Sequence, residues 1–251
     1  MLKVILIIAL FISISTSCSS QDVELWYTQP EFTEVIQTKC NTSIIRNKSI
    51  GILGGSISRS NESQIGKKIW KKFLNVEITD YGQNGYGFSS KAGSIQNCIK
   101  DIKYHDIYIL WCSTNDQQQL QPIGEASDFT ITDNYNLQKL DTQCGGINYC
   151  IQVLKKKFPN STIILFTSLP YFANPTGYEP KKDHKYLYSY VKKQIECAKK
   201  NNIKYLNQWE CNDFTSKNYK NYYLPDKIHL NENGYISLAY YQLLFFSSIK
   251  E

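Results

Sequence analysis

Short apolar runs that end in glycine or polar turns alternate, along this chain, with longer stretches whose apolar residues recur every three to four positions. No other feature limits its fold as much. Residues 49–53, carrying Ile50, Ile52 and Leu53 and followed by Gly54-Gly55, read as a buried strand feeding a tight turn. Strands are also predicted over 76–79, 106–111, 161–167 and 203–206, and helices over 64–73, 90–102, 148–158, 186–200 and 234–249. In the first helix Ile65, Ile69 and Phe73 fall at intervals of four with lysines opposite. Pro159 stops the third, behind Lys155, Lys156 and Lys157 in its last turns. Strand and helix in strict alternation predict an α/β fold: a parallel sheet of about five strands, helices on both faces in a three-layer α/β/α sandwich, and right-handed crossovers. Ligands in such sheets sit beyond the carboxyl ends of the strands. Ser56, Gly85 and Asn115 each follow a predicted strand, so the sheet is expected to gather them at one edge.

The N-terminus reads as an export leader. Lys3 is a short basic region and residues 4–14 are nearly all apolar. These 11 residues are too few to span a bilayer and suit a signal peptide. Ser15-Thr16-Ser17 before Cys18 has the small residues of a bacterial lipoprotein signal, although Ser15 stands where leucine is commoner. On that reading residues 1–17 are removed and lipid on Cys18 tethers the mature chain to a membrane, at the cell surface or in a periplasm. The competing reading is ordinary cleavage nearby and a free secreted protein. The position of the cysteine favours the first. Residues 18–47 are polar with scattered aromatics (Trp26, Tyr27, Phe32) and read as a tether or an arm packed on the domain, which occupies 48–251.

The formal charge of +6 is almost all lysine, Arg46 and Arg59 being the only arginines. Nucleic-acid readers lean on clustered arginine, so the expectation is no nucleic-acid partner. Lysine runs such as Lys67-Lys68 and Lys155-Lys156-Lys157 read as solvated faces. Apart from Cys18 there are seven cysteines, an odd number; an exported chain permits disulfides, and the spacing leaves their pairing open. With no Cys-x-x-Cys and only three histidines, the sequence argues against a zinc site, and neither a metal nor a cofactor is expected.

The chemistry-bearing residues are few. Ser56 follows Gly54-Gly55, a turn sharp enough to present its hydroxyl at the mouth of the sheet. By itself that turn suits a phosphate-cradling loop or a plain strand-to-helix connection equally well. Near the C-terminus stands Asp226-Lys227-Ile228-His229. At this spacing the carboxylate can reach the imidazole within one turn, hold its tautomer and stabilise its protonated form. A lone histidine is more often structural; Asp226 changes that weighing. Serine hydroxyl needs such a base to become a nucleophile. The Ser56 and Gly85 backbone N–H groups and the Asn115 side-chain amide are candidate donors to an oxyanion. Asp116 reads as a cap or loop hydrogen-bonder.

In that order, Gly55-Ser56, the stretch from Asp80 to Gly85 with Gly82-Gln83-Asn84-Gly85, Asn115-Asp116, and Asp226 to His229 resemble the four sequence blocks of the SGNH hydrolases, also called the GDSL esterase/lipase family, over roughly residues 49–240. Gly55 stands where the family name has aspartate, and Ser113 where glycine usually precedes the asparagine block. The resemblance implies a flavodoxin-like three-layer fold and metal-independent ester hydrolysis. Ser56 would be the nucleophile, His229 the base and Asp226 its orienter, with Ser56, Gly85 and Asn115 the oxyanion hole. The expected function is an exported serine esterase working through an acyl-enzyme on a small-molecule or polysaccharide ester, for instance an acetyl group on carbohydrate. The alternatives are an inactive carbohydrate-binding surface protein on the same fold, an acyltransferase, or a lipid or aryl esterase. Residues 120–135 and 170–190 are expected to line the substrate site, with Tyr171, Phe172, Tyr178 and Tyr186 placed to stack on a sugar, although such aromatics more often pack.

Overall fold

The computed structural model describes residues 29–90, 93–129, 137–173 and 186–250. The expected leader, Cys18, Trp26, Tyr27 and Tyr178 lie outside the described residues. Five strands, β1 (Ser49–Gly54), β2 (Glu77–Asp80), β3 (Ile107–Trp111), β4 (Thr162–Phe166) and β5 (Lys204–Leu206), form one sheet in the order β2-β1-β3-β4-β5. Every neighbouring pair is parallel. The helices are α1 (Pro30–Asn41), α2 (Ser56–Arg59), α3 (Ser63–Leu74), α4 (Asn115–Gln118), α5 (Gln143–Lys157), α6 (Leu187–Lys200) and α7 (Glu232–Ser248). This is the three-layer α/β/α sandwich expected.

Because successive strand residues point to opposite faces, a strand buried on both sides reads as a continuous apolar run. β3 is buried at all five positions. Ile107, Ile109 and Trp111 face one core with Ile50, Ile52, Ile164 and Phe166, against Ile69, Trp70 and Phe73 of α3 and Leu243 and Phe246 of α7. Tyr108 and Leu110 face the other with Leu53, Ile163 and Leu165, against Ile147, Ile151 and Leu154 of α5 and Leu187 and Tyr190 of α6. Trp70 stacks on Trp111 at 5.9 Å and meets Phe246 edge-on at 5.2 Å. Such aromatic pairs add to what burial alone contributes. Ile36 and Cys40 of α1 and the following Ile45 are also fully buried in the first core, so residues 30–45 belong to the packed domain.

Residues 90–102 depart from expectation. In place of a helix, the described part has a single 3₁₀ turn, Ile95–Asn97, capped by Ser94. Gly93 sits at φ +78°, which breaks any helix passing through it. The backbone just before is committed elsewhere: the N–H groups of Phe88 and Ser89 go to the Asp116 carboxylate, and that of Ser90 goes to Leu140 O. Conversely, α5 begins at Gln143, five residues before the predicted start. Thr142 caps it by accepting from Gly145 N at 2.9 Å, and the glycine pair in its first turn masks the helical pattern. Lys67 is a third correction. It is 5% exposed and sits not on a solvated face but in an ion pair with Asp80, Nζ to Oδ2 2.6 Å.

Among the described residues no helix is long and apolar enough to cross a membrane, and no three His, Cys, Asp or Glu side chains are grouped to hold a metal ion. The seven cysteines from Cys40 to Cys211 are free thiols, five of them buried.

Candidate active site

The register brings the ends of β1, β2 and β3 to one level, Ile52 opposite Asp80 and Gly54 opposite Trp111. The segments leaving these strands therefore meet at the carboxyl edge of the sheet. β1 runs through Gly54-Gly55 directly into α2, whose first residue is Ser56. The Gly55 carbonyl accepts from Ser58 N at 3.1 Å and Arg59 N at 3.2 Å, which closes the turn. Ser56 N–H has no partner among the described residues, as expected at the first position of a helix.

His229 reaches this hydroxyl from the far end of the chain. Its Nε2 lies 2.8 Å from Ser56 Oγ, and its Nδ1 lies 2.6 Å from Asp226 Oδ2. The other carboxylate oxygen, Oδ1, accepts from Ile228 N at 2.9 Å and His229 N at 3.0 Å. A tight turn makes this possible: Lys227 takes φ +61°, and Leu224 N donates to His229 O at 2.8 Å. Partial burial pushes the Asp226 carboxyl up. The hydrogen bonds from the His229 ring, His229 N and Ile228 N outweigh it and hold the group below the usual carboxylate range. An ionised Asp226 can only accept, so Nδ1 carries the ring proton and Nε2 offers its lone pair to the Ser56 hydroxyl. The arrangement can take a proton from Ser56 as its oxygen attacks an electrophile.

Gly85 and Asn115 arrive from β2 and β3. Gly85 has φ +78°, and its N–H has no partner among the described residues. Its carbonyl accepts from Gln119 Nε2. Asn115, the first residue of α4, donates from Nδ2 to Tyr86 O at 2.8 Å, which leaves the second amide N–H for a ligand. A Cβ on Gly55 would lie 2.7 Å from Asn115 Nδ2, so the amide passes directly over the Gly55–Ser56 turn. This contact explains why glycine stands at 55: the backbone is ordinary extended chain, φ −96° and ψ −154°, and space is what is missing. Ser113 has a use as well, donating from Oγ to Tyr86 O at 3.3 Å and accepting from Asn115 N at 3.3 Å. Asp116 is fully buried, and desolvation pushes its carboxyl up, against the pull of the Phe88 and Ser89 N–H groups that it accepts at 2.9 Å each.

Of the five residues singled out in the sequence, Asp226, His229 and Ser56 are joined by hydrogen bonds and the Asn115 amide lies over the Gly55–Ser56 turn, while Gly85 stands on the adjoining loop, whose Tyr86 carbonyl accepts from that amide. Tyr86 and Gln119, which brace Asn115 and Gly85, carry no sequence signal that would have found them. The aromatic expectation fares differently. Tyr171 and Phe172 are 1% and 6% exposed. Tyr171 donates to Gln117 Oε1 at 2.9 Å and Phe172 stacks on Tyr219 at 5.0 Å, so both are packing residues with no face left for a sugar. Tyr186 is exposed.

No protein-family model matches the chain, and no curated protein matches it in sequence. Solved structures do match. A possible lipase from Chitinophaga pinensis is 17% identical with a TM-score of 0.62, the match covering 80% of this chain and 98% of the other. A protein described as a GDSL-like lipase from Bacteroides uniformis is 15% identical with a TM-score of 0.58, covering 81% and 97%. A catalytic mutant of an acetylxylan esterase from Geobacillus stearothermophilus is 13% identical with a TM-score of 0.54, covering 83% and 98%. The chain has the SGNH/GDSL hydrolase-like fold.

Proposed function

We propose that this protein is a serine esterase that cleaves carboxylic esters through an acyl-enzyme. The observation that carries the reading is the continuous hydrogen-bonded line Asp226 Oδ2 to His229 Nδ1, then Nε2 to Ser56 Oγ, at 2.6 and 2.8 Å. Ser56 Oγ attacks the ester carbonyl carbon while its proton passes to His229 Nε2. The carbonyl oxygen becomes an oxyanion, taken by the N–H groups of Ser56 and Gly85 and the Asn115 amide. Collapse breaks the bond to the alcohol, which leaves with the proton from Nε2. Water then attacks the acyl-enzyme, gives its proton to Nε2 and releases the acid, and Ser56 Oγ recovers that proton. Asp226 stays ionised and steadies the imidazolium.

The leader and the esterase-like neighbours support a narrower reading as well: an exported enzyme, tethered by lipid on Cys18, that removes acetyl groups from carbohydrate. One experiment addresses both levels. Native protein is incubated with a serine-directed phosphonate and digested, and the peptide masses are mapped. The expected result is a single adduct on Ser56 and an N-terminal peptide beginning at lipid-bearing Cys18. An adduct elsewhere, or none in a protein that turns over a chromogenic acetyl ester, sinks the esterase reading. An unmodified N-terminus sinks only the tether.

The crowding at Gly55 gives a second expectation. Gly55→Ala should push the Asn115 amide off the turn and lower kcat on the same ester by about 10²-fold, since misplacement of a catalytic group by about 1 Å costs that much. An unchanged kcat would show that the contact at Gly55 does not set the working position of the amide.

A further inference from the structure

Beside the Ser56 turn, a concavity of about 210 Å³ opens between α2, α3 and the edge strand β2, lined by Arg59, Gln64, Lys67, Lys71, Ile78 and Asp80. Three side chains in its wall are cationic and one is anionic, an excess of two positive charges. The single carboxylate is already committed. Asp80 takes Lys67 Nζ at 2.6 Å on Oδ2 and Gly82 N at 2.7 Å on Oδ1. Arg59 donates to the backbone oxygen of Asp80 at 2.8 Å and not to its carboxylate. Among the described residues neither Arg59 nor Lys71 forms an ion pair. Buried Lys67 gives two of its three N–H donors to Asp80 and to Ser58 O.

Two unneutralised cations around one cavity, one of them a guanidinium fork, suit a doubly charged tetrahedral group better than any neutral ligand. We propose that this cavity binds a small oxyanion, a phosphate or sulfate group, held by Arg59 and Lys71 at the rim with Lys67 as the buried donor and the Gln64 amide beside them. The site is distinct from the Ser56 centre and requires neither Ser56 nor His229. It stands close to that centre, because Arg59 is three residues beyond Ser56 on α2, and Lys67 grips α2 through Ser58 O. The group can be free in solution or part of an ester substrate; the recognising chemistry is the same.

Inorganic phosphate is the probe, titrated into the purified protein at constant ionic strength against chloride, with unfolding temperature and heat of binding as readouts. The expected result is saturable binding with a Kd near or below about 1 mM. The unfolding temperature should rise by roughly 3–6 °C at ten times Kd. Lys71→Gln, on an exposed helix face, and Arg59→Gln should each weaken binding about tenfold or more; if Arg59→Gln folds poorly, Lys71→Gln alone decides. Absence of saturation by about 10 mM phosphate, an equal response to chloride, or undiminished binding in Lys71→Gln overturns the proposal. A companion assay compares kcat/KM for an acetyl ester bearing a phosphate and its neutral counterpart. A preference that Lys71→Gln abolishes places the anion on the substrate, while saturable phosphate binding without preference identifies a free anion.

Discussion

Alanine at Ser56 or at His229 is expected to leave a folded protein whose kcat on a chromogenic acetyl ester falls about 10⁶-fold, and the double variant is expected to lose no more than either single one. The near-identity of the three losses is the stronger part of the expectation. Ser56 Oγ and His229 Nε2 share one hydrogen bond of 2.8 Å. Once either atom is gone the other has no chemical task, so the losses cannot add. What remains should be the catalysis of the oxyanion donors and of binding, roughly 10³–10⁴-fold over water. Both side chains lie at the sheet edge, His229 about 30% exposed, so stability should change little. If the double variant loses the product of the single losses, the two residues work separately and the acyl-enzyme route fails.

The second large effect concerns stability. Lys67→Met should lower the unfolding free energy by about 3–5 kcal/mol, the loss typical when one partner of a buried ion pair is removed. In a domain of this size that corresponds to roughly 6–20 °C in Tm. The pair qualifies as buried because the side chains of Lys67 and Asp80 are 6% and 10% exposed. Without the ammonium, Asp80 is left as an uncompensated charge under α3, and Ser58 O loses its donor. Adding Asp80→Asn removes that charge while keeping an acceptor for Gly82 N, and should restore at least half of the loss. A single-variant loss under about 1 kcal/mol, as for an exposed pair, would refute the assignment.

Much of this architecture is legible in the chain because its signals are local. Each strand is a short apolar run, and the Asp226–His229 pair closes over three residues, a separation that one turn of backbone decides. What was not legible is non-local. Lys67 looks like its neighbour Lys68 until β2 brings Asp80 beneath it. The pattern at 90–102 is helical by spacing, but Asp116, more than 25 residues on, has already taken the Phe88 and Ser89 N–H groups. Gly55 reads as a missing aspartate until Asn115, 60 residues later, is seen to occupy the space of its side chain. Tyr171 and Phe172 reverse the lesson: aromatic composition suggested a binding surface, and tertiary packing absorbed both rings.

The grip of Asp116 on Phe88 and Ser89 reaches beyond folding. Asn115 precedes that carboxylate on the same helix turn, and Gly85 lies three residues before Phe88 on the segment it holds. The two loops are thus riveted together in the resting protein, with their separation set before any ligand arrives. A ligand that met both loops would find their spacing already fixed, the entropy of ordering them having been spent once, when the chain folded.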